Sequence, residues 1–143
     1  MGKILAICTS PKRGTVKTEV PSAVLTPEWG IVSDAHGGNW HRQVSLLAEE
    51  SIDTMRALGL SLTAGAFAEN INTIGISLKT LPVGTLLQIG AAVLRVTQIG
   101  KECHSDCAIK KAVGKCVMPT EGIFAVVVKE GVVRPGDEIE VLK

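Results

Sequence analysis

The run Thr85-Leu86-Leu87-Gln88-Ile89-Gly90-Ala91-Ala92-Val93-Leu94-Arg95-Val96 consists of two apolar stretches separated by a glycine. Each stretch has the length and the Leu, Ile and Val content of a strand, and Gly90 lies where a tight turn is needed. We therefore predict a β-hairpin over these residues. Leu81-Pro82-Val83-Gly84, just before it, is a typical break between elements.

Similar apolar stretches occur on both sides of this hairpin. Strands are predicted at residues 4–7, 22–25, 30–32, 122–128 and 138–142, the last two joined across Gly131 and the turn at residues 135–137. Residues 49–58 carry apolar side chains at helical spacing, with Gly59 placed as a C-terminal cap, and residues 109–113 predict a second, short helix. Many short strands with few helices predict a mainly β fold, a small closed or nearly closed β-barrel, formed by one domain over residues 1–143.

Composition limits the possible functions. The chain has 143 residues, is 45% hydrophobic and contains two Phe, two Trp and no Tyr, so its core must be built from Val, Ile, Leu and Ala. The formal charge of +1 is too balanced to predict a broad nucleic-acid or membrane surface, so any anion site must be local. No apolar run is long enough for a signal core or a membrane span, and the clustered cysteines favour a reducing compartment, which predicts a cytoplasmic protein.

Three of the four cysteines lie close together, at Cys103, Cys107 and Cys116. Lys101 and His104 make the surroundings of Cys103 cationic, which favours a thiolate that attacks electrophiles, carries sulfur or ligates a metal. The alternative is a small buried side chain, and from the residues alone the two interpretations are about even. Cys8 belongs to the predicted first strand, whose apolar run is residues 4–7, and is expected to be a buried strand residue.

Two polar loops are further candidates for a binding site. Lys12, Arg13 and Lys17 gather three cations in a turn, which either holds a phosphate or is simply solvated. The glycine-rich loop at residues 33–42 mixes hydrogen-bond donors and acceptors suited to a polar head group, carried by Asp34, His36, His41 and Arg42. Trp40 and His41 are as well explained by packing or surface positions.

The order of several motifs resembles the MOSC domain family, named for the C-terminal domain of molybdenum-cofactor sulfurase. The motifs are Lys12-Arg13-Gly14, Asp34-Ala35-His36-Gly37-Gly38, Gly65-Ala66-Phe67-Ala68-Glu69-Asn70-Ile71, Leu81-Pro82-Val83-Gly84-Thr85, Val96-Thr97-Gln98 and Cys103. The resemblance covers nearly the whole chain and implies a small β-barrel that handles sulfur or molybdenum cofactor through one cysteine, at the position of Cys103. Two positions depart from the pattern, since Ala68 and Ser33 stand where the family often has glycine.

The resemblance implies a cytoplasmic protein that binds molybdenum cofactor (molybdopterin) or a molybdenum species. Cys103 would accept sulfur as a persulfide or ligate molybdenum. The expected cofactor-binding residues are Lys12, Arg13, Lys17, Asp34, His36, Gly37, Glu69 and Asn70. For Glu69 and Asn70, capping of exposed backbone groups inside the barrel is an equally good interpretation. The expected partner is a pyridoxal-phosphate-dependent cysteine desulfurase or a molybdenum-cofactor biosynthesis protein.

Two other functions stay open at this point. The resemblance to larger MOSC reductases allows a molybdenum-dependent reductase of N-hydroxylated compounds that takes electrons from an external donor. Alternatively, the chain is a noncatalytic zinc-binding module with the ligands Cys103, His104, Cys107 and Cys116, three thiolates and one imidazole being an acceptable tetrahedral set. The spacing weakens the zinc interpretation, because Cys116 is isolated and the adjacent Cys103 and His104 would strain to reach one ion.

Overall fold

Strands dominate the architecture. The computed structural model describes residues 2–10, 17–32, 34, 37–38, 40–57, 69–100 and 122–142. These residues form eleven strands, one α-helix and a 3-10 turn at Leu78–Thr80. In chain order the elements are β1 (Gly2–Thr9), β2 (Thr18–Val20), β3 (Ala23–Thr26), β4 (Gly30–Ile31), β5 (Val44–Ala48), α1 (Glu49–Arg56), β6 (Ile71–Ile74), β7 (Leu86–Ile89), β8 (Ala92–Ile99), β9 (Ile123–Lys129), β10 (Gly131–Val133) and β11 (Glu138–Leu142).

Seven strands close into a barrel, which confirms the predicted fold class. Their order is β11-β7-β8-β9-β5-β6-β1, and β1 pairs with β11 to complete the circle, while β2 pairs with β1 as an eighth strand of the sheet. The closing pair is short and joins Gly2 to Ile139 and Lys3 to Glu138. Closure hydrogen-bonds strand edges that would otherwise be open to other chains.

The predicted hairpin at residues 85–96 is present as β7 and β8. Ile89 pairs with Ala92, and Gly90 has a φ of 54°, in the left-handed region that favours glycine at a tight turn. β8 runs on to Ile99, three residues beyond the predicted strand end, because its second half pairs with β9. This pairing is long-range and therefore has no local signal.

The crossover from β5 to β6 contains the helix. These two strands are parallel neighbours, and α1 packs against both of them. β5 is buried at all five positions and Ile52 of α1 is also buried. The helix prediction for residues 49–58 is confirmed up to Arg56; Gly59 and the predicted helix at residues 109–113 lie outside the described part of the chain.

A second, three-stranded sheet packs beside the barrel in the order β10-β3-β4. β3 and β4 correspond to the strands predicted at residues 22–25 and 30–32, whereas β2, β5, β6 and β10 were not among the predicted strands. The core is aliphatic as expected from composition and includes Ile7, Leu46, Leu87, Leu94 and Ile139, each fully buried. Within the described ranges, no helix is long and apolar enough to cross a membrane.

Candidate functional site

Asp34 joins the two ends of the basic loop, the segment at residues 10–17 that contains the three cations Lys12, Arg13 and Lys17. Its Oδ1 accepts a hydrogen bond from the backbone N–H of Ser10 at 3.0 Å and one from Lys17 Nζ at 2.7 Å. Lys17 Nζ also donates to Ser10 Oγ at 3.0 Å. Ser10 and Lys17 directly flank residues 11–16, so one carboxylate from the glycine-rich loop holds both ends of the basic loop. The two loops predicted from sequence therefore meet in space.

The ion pair between Lys17 and Asp34 is buried, with side-chain exposures of 3% and 0%. A buried charge is stable only when it is paired and hydrogen-bonded. Here the Lys17 ammonium and the Asp34 carboxylate are each other's counter-ion and hydrogen-bond partner. The Lys17 ammonium is thus engaged by Asp34 and Ser10. Lys12 and Arg13, the other predicted cations of this loop, lie outside the described residues.

Gly37 lies against the indole of Trp29. Trp29 Nε1 donates to the Asp34 carbonyl at 2.9 Å, and the Gly38 N–H donates to the Trp29 carbonyl at 2.7 Å. A Cβ on Gly37 would lie 2.2 Å from Trp29 Nε1, so glycine is required for this close approach. The structure therefore explains Gly37 through packing, and its role toward a cofactor stays a prediction. His36 lies outside the described residues.

Asn70 links three neighbouring strands of the barrel. Its Oδ1 accepts from the Ser45 backbone N–H at 3.0 Å and lies 3.2 Å from Ser45 Oγ, and its Nδ2 donates to the Cys8 carbonyl at 3.1 Å. Ser45 belongs to β5 and Cys8 to β1, and Asn70 directly precedes β6 between them. Asn70 satisfies backbone groups inside the barrel, which is one of the two roles expected for it.

Glu69 is a fully buried acid beside an incompletely satisfied amide. Its Oε2 accepts from Asn72 Nδ2 at 2.5 Å. Asn72 Oδ1 and Thr73 Oγ1 are buried without a hydrogen-bond partner. Buried polar atoms are normally paired, so the unpaired Asn72 Oδ1, on the same amide that contacts Glu69, is a polar contact that the described residues leave incomplete.

Cys8 is unsuited to nucleophilic chemistry. Burial, followed by the negative charges of Glu69 and Glu19, raises the pKa of the Cys8 thiol from 9.0 to about 12, against a smaller opposing effect of Lys17. The thiolate is the reactive form of cysteine, and at neutral pH Cys8 is held as the thiol. The expectation of a buried strand residue is confirmed by its position in β1, where its exposure is 0%.

A stacked arginine lies just before β5. The Arg42 Cζ is 4.7 Å from the centroid of the Trp40 ring and 5.6 Å from that of the Phe124 ring. From the sequence, Arg42 is a polar loop residue but not one of the expected cofactor-binding residues, because Phe124 is 82 positions away and nothing local indicates that it contacts Arg42. The spacing of Trp40 and Arg42, two residues apart, was the local signal that could have indicated a contact between the guanidinium and the indole ring.

The cysteine cluster belongs to the connection between β8 and β9. Ile99 pairs with Ile123, and the Gly100 N–H donates to the Gly122 carbonyl at 2.6 Å, so both ends of the connection are held together. Cys103, His104, Cys107 and Cys116 all lie outside the described residues. Among the residues that are described, no three His, Cys, Asp or Glu side chains are grouped to hold a metal ion.

Comparison with family models identifies the fold. The model of the MOSC domain matches residues 33–140, which is most of the chain. The chain belongs to the MOSC domain family. MOSC domain proteins are typically associated with the molybdenum cofactor, and the match includes β5 to β9, the segment containing Cys103 and all but the end of β11.

Solved structures of bacterial proteins resemble this one over 99–100% of its length. YuaD from Bacillus subtilis superposes with a TM-score of 0.80 at 18% identity, covering 99% of this chain and 96% of that one. YiiM from Geobacillus stearothermophilus superposes with a TM-score of 0.75 at 21% identity, covering 100% of this chain and 76% of that one. YiiM from Escherichia coli superposes with a TM-score of 0.71 at 19% identity, covering 100% of this chain and 70% of that one. At these identities the likeness establishes the fold alone. Comparison with curated proteins returned no match.

Proposed function

We propose that this MOSC domain binds molybdenum cofactor or a molybdenum species and uses Cys103 to carry sulfur as a persulfide or to ligate molybdenum. The observation that carries the proposal is the match of the MOSC family model to residues 33–140, a range that contains Cys103. Burial raises the pKa of the Cys8 thiol to about 12, which makes Cys8 a poor candidate for thiolate chemistry and favours the three cysteines between β8 and β9. The family motif selects Cys103 from these three.

The chemistry of the described side chains fits an anionic, polar cofactor. The Arg42 guanidinium carries a positive charge against the rings of Trp40 and Phe124, and a phosphate is the kind of group that a guanidinium binds well. The proposed cofactor-binding set also contains Lys12, Arg13, Lys17, Asp34, His36, Gly37, Glu69 and Asn70. Bound cofactor would supply molybdenum and its redox chemistry, while the residues of this chain bind, orient and exclude water.

The sulfur-transfer step needs a donor on another protein. In the proposed step the Cys103 thiolate attacks the terminal sulfur of a donor persulfide, the donor's S–S bond breaks, a new S–S bond forms on Cys103, and the donor cysteine leaves as a thiolate. The electrons therefore balance without an external oxidant. A pyridoxal-phosphate-dependent cysteine desulfurase is the proposed donor and a molybdenum-cofactor biosynthesis protein the proposed acceptor, both in the reducing cytoplasm.

Intact-mass spectrometry tests the carrier proposal. The full chain is incubated with a cysteine desulfurase and cysteine, and the wild type is compared with Cys103→Ser, Cys107→Ser and Cys116→Ser. We expect the wild type and the last two variants to gain the mass of one sulfur atom that a reductant removes, and Cys103→Ser to gain none. The same adduct on Cys103→Ser, or none on the wild type, would exclude the carrier role.

Two further measurements separate the alternatives. Stoichiometric zinc in the purified protein that is lost on Cys116→Ala would identify a zinc module instead. Turnover of an N-hydroxylated base by protein purified anaerobically with bound molybdopterin, given an external electron donor, would identify a reductase. Loss of that turnover in Cys103→Ser would assign the molybdenum-ligating role to Cys103.

A further inference from the structure

The three-stranded sheet carries a row of exposed valines across its outer face. Val24 of β3 pairs with Val132 of β10, and the Val32 N–H, just after β4, donates to the Val24 carbonyl at 3.0 Å. Val24 is 46% exposed, Val32 55% and Val132 37%. These three residues, the valine row, therefore span all three strands of the sheet, with Val24 in the middle.

The inner face of the same sheet is apolar as well. Side chains alternate between the two faces of a strand, and the neighbours of the valine row along the strands are buried in the hydrophobic core. These neighbours are Ala23, Leu25, Ile31 and Val133. The sheet is thus apolar on both faces, while its outer face is exposed. Single exposed apolar residues are ordinary on protein surfaces, whereas adjacent ones that form a patch are typical of an interaction surface.

Two opposite charges flank the valine row on β10. Glu130 directly precedes this strand and Arg134 directly follows it, two residues before and two residues after Val132. Strand alternation therefore places all three side chains on the outer face. Glu130 and Arg134 are both exposed, and neither forms an ion pair with another residue of the described ranges. The outer face of β10 is accordingly negative, apolar and positive at equal spacing.

This order of charges complements a second copy of the same face. When two copies stack face to face about a two-fold axis that runs along the valine row, each valine meets its own counterpart, and Glu130 of each copy meets Arg134 of the other. Packed sheets lie about 10 Å apart, a distance that a glutamate and an arginine side chain span together. The two ion pairs require antiparallel β10 strands, because parallel ones would place like charges opposite each other.

We propose that the valine row is a self-association surface, through which two copies of this chain form a weak two-fold symmetric dimer whose orientation is set by Glu130 and Arg134. A stable interface buries about 800 Å² on each partner, which is more than three valines and two flanking charges provide. The dimer is therefore expected at high protein concentration, with a dissociation constant of roughly 0.1–1 mM. This surface goes beyond the sulfur chemistry proposed for Cys103 and does not depend on it.

Sedimentation equilibrium of the full chain tests the dimer directly. Between about 20 µM and about 2 mM protein, we expect the average mass to rise from 15.0 kDa towards twice that value. Val24→Asp is expected to stay monomeric, because it places two carboxylates opposite each other in the dimer. Val83→Asp is the matched control, since Val83 is an exposed valine in the turn before β7, and it should associate as the wild type does. A wild type that stays monomeric at the highest concentration, or exceeds the mass of a dimer, would overturn the proposal.

Charge reversal tests the orientation of the two copies. Glu130→Arg and Arg134→Glu each place like charges opposite each other twice in the dimer, so each is expected to weaken association at least about fivefold. The double variant Glu130→Arg/Arg134→Glu restores both ion pairs and should regain the wild-type dissociation constant to within about twofold. A general charge effect would not give this rescue, because the double variant has the net charge of the wild type. Unchanged association in the single variants, or no rescue in the double variant, would contradict the assignment.

Amide NMR spectra recorded on dilution locate the surface and protect the test from misfolding. We expect the concentration-dependent shifts of the wild type to be centred on β3, β10 and Val32, and shifts centred on another face would contradict the proposal. If Val24→Asp loses its amide dispersion, Val24→Thr carries the comparison, because threonine keeps the shape and the strand propensity of valine. Wild-type association in Val24→Thr would then contradict a role for the valine row. Cys103→Ser is expected to associate as the wild type does, so failure of the sulfur-carrier proposal leaves this one standing.

Discussion

A single carboxylate, Asp34, shows how much of this site depends on individual residues. It accepts the Ser10 N–H and the Lys17 ammonium, and its backbone carbonyl accepts the Trp29 indole N–H. Three parts of the chain thus meet at one buried residue. Its side chain has a structural role, and contact with a cofactor stays a prediction for this residue.

Asp34→Asn is expected to be strongly destabilising. The substitution leaves the Lys17 ammonium buried without its counter-ion, and breaking a buried pair from one side typically costs about 3–5 kcal/mol. The free energy of unfolding, measured by urea denaturation, tests this. The matched control is Asp53→Asn, which removes one acid from the exposed Asp53–Arg56 pair and should cost less than about 1 kcal/mol. A loss in Asp34→Asn no larger than in the control would show that the pair contributes little.

The thiol of Cys8 leads to a prediction about pH. The folded state holds its proton up to about pH 12, whereas the unfolded chain releases it near 9.0. The unfolded state therefore binds fewer protons between these values, and stability falls as pH rises from about 9 to about 12. In a variant with Ser at positions 103, 107 and 116, we expect the urea midpoint to drop more steeply between about pH 8 and about pH 11 than it does when Cys8 is also replaced by Ala.

The same Cys8-only variant provides a chemical check. Because iodoacetamide reacts with the thiolate, we expect alkylation of Cys8 at pH 8 to be slow in the folded protein and fast in urea, as followed by mass spectrometry. Equal rates in the two conditions would contradict the inertness of Cys8 and weaken the argument that assigns the sulfur chemistry to Cys103.

At the scale of elements, the β7–β8 hairpin depends on its contact with β10. Gly131 begins β10, and a Cβ at this position would lie 2.6 Å from the carbonyl carbon of Ala91 and 2.7 Å from the amide nitrogen of Ala92. The neighbouring atoms are backbone and cannot move aside as a flexible side chain would. This close approach is what brings the three-stranded sheet against the hairpin turn.

Gly131→Ala is therefore expected to cost roughly 1–3 kcal/mol, the usual range for overpacking at a well-packed position. Thermal or urea denaturation measures the loss. Gly84→Ala is the comparison, since Gly84 has a φ of 98° but nothing within 4 Å of a built Cβ, so it reports conformational strain without a clash. Both variants are expected to have the far-UV circular dichroism spectrum of the wild type, because the barrel itself is unchanged. A Gly131→Ala protein as stable as the wild type would show that β10 shifts freely.

At the scale of the whole molecule, the two ends of the chain close the barrel. β1 and β11 pair through Gly2–Ile139 and Lys3–Glu138, and the Ile4 N–H donates to the Asp137 carbonyl at 2.9 Å. Bringing these ends together is entropically costly, and such long-range pairing contributes only after much of the barrel has formed. Ile139 has a central place in closure because it pairs with β1 on one side and with Ile89 of β7 on the other.

Replacement of neighbouring residues in β11 tests the importance of closure. Ile139 is fully buried, whereas Glu140 faces outward and is exposed. We expect Ile139→Ala to lower the free energy of unfolding by about 2–5 kcal/mol and Glu140→Ala to change it by less than about 0.5 kcal/mol. Chemical denaturation of both variants is the measurement. Similar small effects would indicate that the closing strand contributes little to stability.

Local patterns predicted elements well and contacts poorly. The β7–β8 hairpin, the β1 strand and the helix through Arg56 follow from apolar periodicity and glycine placement, which operate over a few residues. β2 and β10 were missed because strands of three residues are too short to show periodicity. β5 and β6 were missed because their side chains are buried on both faces, which removes the alternation of apolar and polar residues that marks a strand. Asp34 and Lys17 were both singled out from composition, but their pairing was not, because it depends on how two loops meet.

Apolar runs, turn residues and ordered motifs are local properties of the chain, and they are enough to predict a mainly β, aliphatic-cored barrel that resembles the MOSC domain and to select Cys103 as the residue to test. Other features become visible only in the folded protein: Lys17 is engaged by Asp34, Asn70 supports the backbone of β1 and β5, and Arg42 stacks on Phe124 without an ionic partner among the described residues. These are contacts between residues 17 to 82 positions apart, and burial and pairing at such distances arise only when the barrel closes.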